Sequence, residues 1–326
     1  MKKEQSNRST GNAMKGKFIN PFPQYYEPPL STMLKLIKDV MLFNLKTELA
    51  PLPLARSDTE LLRRNRSEKT VTWVGHSTLL VQLDGKNILT DPIWSMRAGP
   101  IRLAGSRRYT PPGLNFDDLP GIDLVLITHD HYDHLDRPTI FDLVRKHDPR
   151  FCVPLGLKRW FTKRGIARVQ ELDWWESADI LGLELHCLPA QHFSSRGIID
   201  RYRRLWCSWA LRGRTSNLFF SGDSGYFGDL KTIGEKLGPF DLAFLPIGAS
   251  KPRIVMKPVH MNAADALQAA RDLRAARMVP IHWGTFILAL DFGDEPVREL
   301  KKAMARDTGG GPPEVWVLAH GETRTF

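Results

Sequence analysis

The chain has 326 residues, 42% hydrophobic and 10% aromatic, enough apolar content to bury one large core or two modest ones and too much for a disordered chain. A formal charge of +10 and a pI near 9.6 point to attraction toward phosphate, on nucleic acid or on an anionic membrane surface, without choosing between them. Three cysteines, Cys152, Cys187 and Cys207, are odd in number and unclustered, which excludes a disulfide framework and favours core thiols in a reducing compartment.

The opening "MKKEQSNRSTGNAMKGK" is polar and has no apolar signal-peptide core, so it is expected to be disordered and uncleaved, in a cytoplasmic protein. Residues 1–70 hold 13 Lys/Arg against 7 Asp/Glu, so most of the basic excess sits in this first stretch. A helix is predicted over residues 31–46: Ser31 is a possible N-cap, and Met33, Leu34, Ile37, Val40, Met41 and Leu45 recur at helical spacing beside Lys35, Lys38 and Asp39. It is too short and too charged to span a bilayer. It either packs on the main domain or dips an apolar face into a membrane surface as a peripheral contact, and the two are compatible.

From Thr70 onward the pattern is one of short strands. "TVTWV", "TLLVQLDGKNILTD" and "DLVLIT" are β-branched and apolar, with Asp84-Gly85 as a hairpin turn. "LELHCLP", "WCSWALR", "NLFFSGD", "DLAFLPIG", "MVPIHWG" and "VWVLAHG" follow, interrupted by helical patterns at Pro138–His147, Leu157–Arg164, Asp229–Leu237 and Asn262–Arg277. Strands with helices between them and no Gly-rich phosphate loop argue for a layered α/β sandwich. There is no internal repeat, so residues 1–69 are read as a loosely attached basic arm with its helix and residues 70–326 as one domain.

The stretch "ITHDHYDHLD", residues 127–136, crowds three histidines and three aspartates behind an apolar run. So many titratable groups repel one another or take up protons unless something positive lies among them, and a divalent metal resolves the crowding. Read as H-x-H-x-D-H, the donors are His129, His131, Asp133 and His134. Alternate positions let His129 and His131 converge on one ion while the turn of the chain swings Asp133 and His134 toward a neighbour. Imidazole with carboxylate suits zinc, with iron or manganese as alternatives. The competing reading is a solvated acidic loop with incidental histidines.

Three later strand ends complete the set: His192 in "LPAQHFSS", Asp223 in "LFFSGDSGY" and His282 in "VPIHWGTF". Taken singly, a histidine after a strand is more often structural than ligating. Together with the motif they give His129, His131 and His192 on one metal, Asp133, His134 and His282 on the other, and Asp223 bridging both. Asp91 in "LTDP" and His76 in "VGHS" also fall at strand ends and are expected to orient ligand histidines or neighbouring loops, since a ligating imidazole usually donates its other N–H to a fixed partner.

With these residues the sequence resembles the metallo-β-lactamase fold superfamily and, within it, the N-acyl-phosphatidylethanolamine-hydrolysing phospholipase D family. "VTWVGHSTLLV", "LTDPIWS", "ITHDHYDHLD", "VPLGL", "ELDWWE", "GPFDLAFLPIGA", "IHWGTF" and "HGE" occur in that family's order. The resemblance implies an αββα four-layer sandwich with the metals in a groove at one edge of two sheets, and the seven ligands match the family's positions. Asp223 stands where true β-lactamases commonly have a cysteine, so antibiotic hydrolysis is not expected.

The implied reaction is hydrolysis of N-acyl-phosphatidylethanolamine to phosphatidate and N-acylethanolamine. A water between two adjacent cations loses a proton near neutral pH and attacks phosphorus in line with the leaving alkoxide. Asp133 and Asp223 orient the nucleophile and handle its proton. His260 in "MKPVHMN" matches a family position near the site and is expected to donate a proton to the leaving group or to support a ligand, the rival reading being a surface histidine. The expected partner is a phospholipid or other phosphodiester. A soluble hydrolase of a small phosphate ester or sugar lactone is the alternative, and a nuclease the more distant one. No nucleic-acid partner is expected, because the tryptophans lie in apolar runs instead of along a basic strip. The sequence leaves the oligomeric state open, a homodimer being one option.

Overall fold

In a computed structural model the structure describes residues 13–14, 16–101, 103–197, 199–307 and 313–326. The stretch expected to be disordered lies, over residues 1–12, outside the described residues.

Two seven-stranded sheets make up the frame. The first runs Val169–Leu172, Arg150–Pro154, Leu124–Leu126, Lys86–Thr90, Thr78–Leu83, Thr70–Gly75, Thr323–Thr325; the second runs Ser177–Ile180, Leu183–Leu188, Ser208–Arg212, Asn217–Phe220, Phe240–Pro246, Ala275–Ile281, Glu314–Val315. Each sheet is half antiparallel and half parallel. The Asp84-Gly85 hairpin forms as expected: Leu83 pairs with Lys86, and both turn residues have positive φ, 50° and 74°.

Alternation along the first sheet assigns its two faces. Leu79, Val81, Leu83, Leu124 and Leu126 turn inward to a core shared with Trp206, Trp209 and Phe219 of the second sheet. Leu80, Leu89, Val125 and Val153 turn outward beneath Ile140 and Leu143 of helix Arg137–His147. Strands covered on both faces read as near-continuous apolar runs, and these do. Helices Asp229–Leu237, Ala263–Asp272 and Glu295–Ala305 cover the second sheet through Leu230, Ile233, Leu267, Val297 and Leu300. The layers are therefore α, β, β, α.

Two helices are shorter than the sequence pattern predicts. Leu157–Arg164 contracts to Lys158–Thr162, and the helix expected over Asn262–Arg277 stops at Asp272. That helix starts where predicted, with Asn262 and Asp265 in a reciprocal capping box. It ends because Arg274 adopts φ 57° and Ala275 opens the next strand. Helix Glu295–Ala305 had not been anticipated.

Between Phe22 and Leu62 the segment before Thr70 makes core contacts. Phe22 packs on Phe227 at 4.4 Å between ring centroids, and Leu62 is buried with Val74 and Leu80. Helix Leu30–Lys46 seats Leu36 and Val40 against Ala249, Val255, Met256, Ile287 and Ala289. Among the described residues no helix is long and apolar enough to cross a membrane.

Candidate metal centre

The strand Leu124–Leu126 empties into the histidine-rich loop. Leu183–Leu188, Asn217–Phe220 and Ala275–Ile281 run the same way in the second sheet and end just before His192, Asp223 and His282. Carboxyl ends of such strands are where open α/β sheets bind ligands. Gly222, at φ 58°, permits the approach of the two sheets' loops, because a Cβ there would lie 2.5 Å from Thr128 Cγ2.

All seven predicted donors meet. His131 Nδ1 lies 2.9 Å from His129 Nε2 and 3.2 Å from His192 Nε2. His76, Asp133, His134 and His282 form a second group in which one atom of each lies within 4.8 Å of the others. Asp223 stands between the groups: Oδ2 is 3.1 Å from His134 Nε2, 3.8 Å from His192 Nε2 and 3.9 Å from His129 Nε2, while Oδ1 is 3.1 Å from His282 Nε2. Asp223 Oδ1, His134 Nε2 and both ring nitrogens of His282 are buried without a hydrogen bond. Orphaned donor atoms turned toward one another are what a cation would satisfy.

The partners of the opposite ring nitrogens fix the tautomers. Asp91 accepts from Thr128 N at 2.8 Å, from Thr128 Oγ1 at 2.6 Å and from His134 Nδ1–H at 2.7 Å. Since the Thr128 hydroxyl proton goes to Asp91, its oxygen accepts from His129 Nδ1–H at 3.0 Å. His192 Nδ1–H donates to the Val259 carbonyl at 3.0 Å. In His129 and His192 this leaves the Nε2 lone pair toward the centre, and in His134 it makes Nε2 the nitrogen that faces Asp133 and Asp223. Asp91 thus sits where an orienting carboxylate belongs. His76 Nε2–H donates to Asp133 Oδ2 at 3.0 Å, which places it on a carboxylate, not on a histidine. His260 is buried, so the surface reading does not hold; its Nδ1 is 3.9 Å from Asp223 Oδ2 and makes no hydrogen bond.

The electrostatics divide the site. Burial holds His192, His76 and His260 down to about 3 and His131 down to about 4, and lowers His129 as well, so these imidazoles are neutral. Burial works against charge on His282 and His134 too, but Asp223 and Asp133 overcome it, raising His282 to about 9 and His134 well above its ordinary value. Burial likewise opposes the two carboxylates, and His134 overcomes it to keep both well below the usual range. Protons on His134 and His282 answer two buried negative charges, the same positive charge that a pair of cations would bring.

Of the three aspartates in the stretch only Asp133 is a predicted donor, and Asp130 has a structural part of its own. It is fully buried, accepts from Ser195 N at 2.8 Å and pairs with Arg204, tying the motif to the run that follows His192. An acidic residue between two candidate donor histidines was the only signal for it.

Comparison with known proteins accords with this geometry. Residues 86–283 match the beta-lactamase superfamily domain. The chain is 42% identical over 245 residues to N-acyl-phosphatidylethanolamine-hydrolyzing phospholipase D 1 of Caenorhabditis elegans, covering 72% of this chain and 69% of that protein. It is 28% identical to a UPF0173 metal-dependent hydrolase of Methanopyrus kandleri, over 78% of this chain and 98% of the other. Among solved structures, the metallo hydrolase Igni18 of Ignicoccus hospitalis superposes with a TM-score of 0.59 at 24% identity, covering 80% of this chain and 99% of that one. The chain is a metal-dependent hydrolase of the metallo-β-lactamase fold superfamily, and within it belongs to the N-acyl-phosphatidylethanolamine-hydrolysing phospholipase D family.

Proposed function

We propose that the protein is a dinuclear phosphodiesterase that hydrolyses N-acyl-phosphatidylethanolamine-type lipids to phosphatidate and N-acylethanolamine. The observation that carries this reading is the buried Asp223 carboxylate, with one oxygen toward His282 and the other toward His134, His129 and His192. His129, His131 and His192 would hold one ion, Asp133, His134 and His282 the other, with Asp223 shared. Nitrogen and oxygen donors of this kind suit zinc, and also iron or manganese. When bound, such a pair supplies Lewis acidity to a phosphodiester and lowers the pKa of water between the ions.

The chain's own residues do the rest. Asp91 and Thr128 fix the tautomers of His134 and His129, and His76 holds the Asp133 carboxylate. Asp133, at 9% exposure not wholly closed off from solvent, would orient the attacking water. His260, neutral and with an Nδ1 free of any hydrogen bond 3.9 Å from Asp223 Oδ2, would take up a proton released by the attacking water and pass it to a leaving alkoxide.

Helix Leu30–Lys46 supports a lipid surface as the working environment. Leu30, Leu34, Ile37, Met41 and Leu45 form one stripe, each at least 50% exposed, while Leu36 and Val40 on another face are buried. Lysines 35 and 38 lie beside the stripe. An apolar stripe with cations at its border is suited to anionic headgroups. The test is metal analysis together with turnover of N-acyl-phosphatidylethanolamine in vesicles and of a small chromogenic phosphodiester. Two equivalents of metal and preferential turnover of the lipid are expected; turnover of the small ester alone, indifferent to vesicles, would favour a soluble esterase.

A further inference from the structure

His192 sits at the head of a run, residues 193–206, with no helix or strand among its described residues. Upstream it is well anchored: Gln191 N donates to Ser224 Oγ at 2.9 Å, Gln191 Nε2 to the Pro258 carbonyl at 2.9 Å, and Gly225 N to the Gln191 carbonyl at 2.9 Å. Downstream its carbonyl and the run beyond it are gripped by the beginning of the chain. Asn20 Nδ2 donates to the His192 carbonyl at 2.6 Å. Phe18 N donates to the Tyr202 carbonyl at 2.7 Å. Tyr202 gives its hydroxyl proton to Glu27 at 2.5 Å and accepts from the Tyr25 hydroxyl at 2.6 Å. Phe22, buried against Phe227 and Trp174, fastens the clasp between these polar contacts.

We infer that residues 18–27 clasp the His192 run and so position this ligand, with Asn20 as the positioning residue, which makes the beginning of the chain part of the metal centre as well as a route to lipid. The physical reason is directional. The His192 ring can turn about its own side-chain bonds or be carried by its backbone; the Val259 carbonyl restrains the first, and the backbone is fixed on one side by Gln191 and on the other by Asn20. An amide carbonyl accepting a hydrogen bond from a partly buried side-chain amide holds that peptide plane, and the Val259 contact then holds the ring. The inference rests on the metal-centre reading of His129, His131 and His192. It differs from a membrane role in a definite way: loss of the clasp weakens hydrolysis of a soluble phosphodiester as much as that of a lipid.

The experiment uses the full-length zinc-loaded protein, with Asn20→Ala and Tyr25→Phe as separate variants; the second removes only a hydroxyl and keeps the ring if the first folds poorly. Zinc release to an excess of chelator is followed over time, with amide hydrogen exchange of residues 190–205 in the zinc-free protein and kinetics on a small soluble phosphodiester. Asn20→Ala is expected to release one of the two zinc ions about tenfold faster, to lose exchange protection over 190–205, and to lower kcat with KM unchanged. Tyr25→Phe shifts the same readouts in the same direction by less. Wild-type rates of zinc release and exchange in both variants would overturn the inference alone. A wild-type protein that holds no zinc would overturn the metal-centre reading and this inference with it.

Discussion

The two halves of the centre use the same imidazole at the same depth and reach opposite charge states. His129, His131 and His192 are supported by a hydroxyl, a backbone carbonyl and one another, and burial leaves them neutral. His134 and His282 face Asp133 and Asp223 at hydrogen-bond range or slightly beyond, and the carboxylates draw protons onto them. Burial alone therefore decides little. What separates the charged pair is that His134 and His282 each face both carboxylates, whereas His76 faces Asp133 alone and His129 and His192 stand 3.9 and 3.8 Å from Asp223 and stay neutral. Two close negative charges in a low-dielectric interior outweigh the lost hydration.

Removing the one carboxylate common to both halves has the largest expected effect. Asp223→Ala is predicted to reduce turnover of lipid and small ester to background and to strip metal from both halves, read by metal analysis on the purified variant. Retention of a full metal complement would show that the halves are independent. Next comes Asp91→Ala, which frees the His134 tautomer and unseats Thr128. A loss of about 10–100-fold in metal affinity is expected, against a smaller loss for Thr128→Val, which touches only the neutral half directly.

Acid and base titration of the metal-free protein separates the halves without mutation. The neutral histidines have folded pKa values below their unfolded value of 6.5, His131 at about 4 and His192 at about 3. Their contribution to stability is present above 6.5 and is lost as pH falls toward 3. His282, at about 9 when folded against 6.5 unfolded, contributes stability that is full below 6.5 and is lost as pH rises through 9. Each group changes stability by about 1.4 kcal/mol per pH unit within its window. The chemical-denaturation midpoint should fall on both sides of neutrality, and a flat profile above pH 6.5 would remove the charged half from the comparison. The smallest effect on the centre is expected from Met41→Glu on the exposed stripe: vesicle binding should weaken while kcat on a soluble phosphodiester stays unchanged.

The candidate donors were legible because their encoding is local. Alternating histidines, an Asp-His pair and single donors after apolar runs can be read without knowing the fold, and so can the Asp84-Gly85 hairpin and the Asn262 start of its helix. What escaped had no local mark. The stop at Asp272 depends on Arg274 entering a left-handed conformation that spacing does not reveal. Asp130 was visible as a residue but not as a tie, since its partners Ser195 and Arg204 come from a distant loop. His76 was expected to steady a histidine or a neighbouring loop; that its ring would choose Asp133 while its carbonyl takes the His282 N–H had no local mark.

By itself the sequence determined the inventory of donors, the αββα layering implied by its family resemblance and the apolar helix over residues 31–46. Only the tertiary structure decided which histidines are neutral, which nitrogen each turns inward, and that Asn20 reaches the His192 carbonyl. The reason is that spacing fixes where a side chain leaves the backbone. Its proton affinity and direction depend on burial and on partners brought together from opposite ends of the chain.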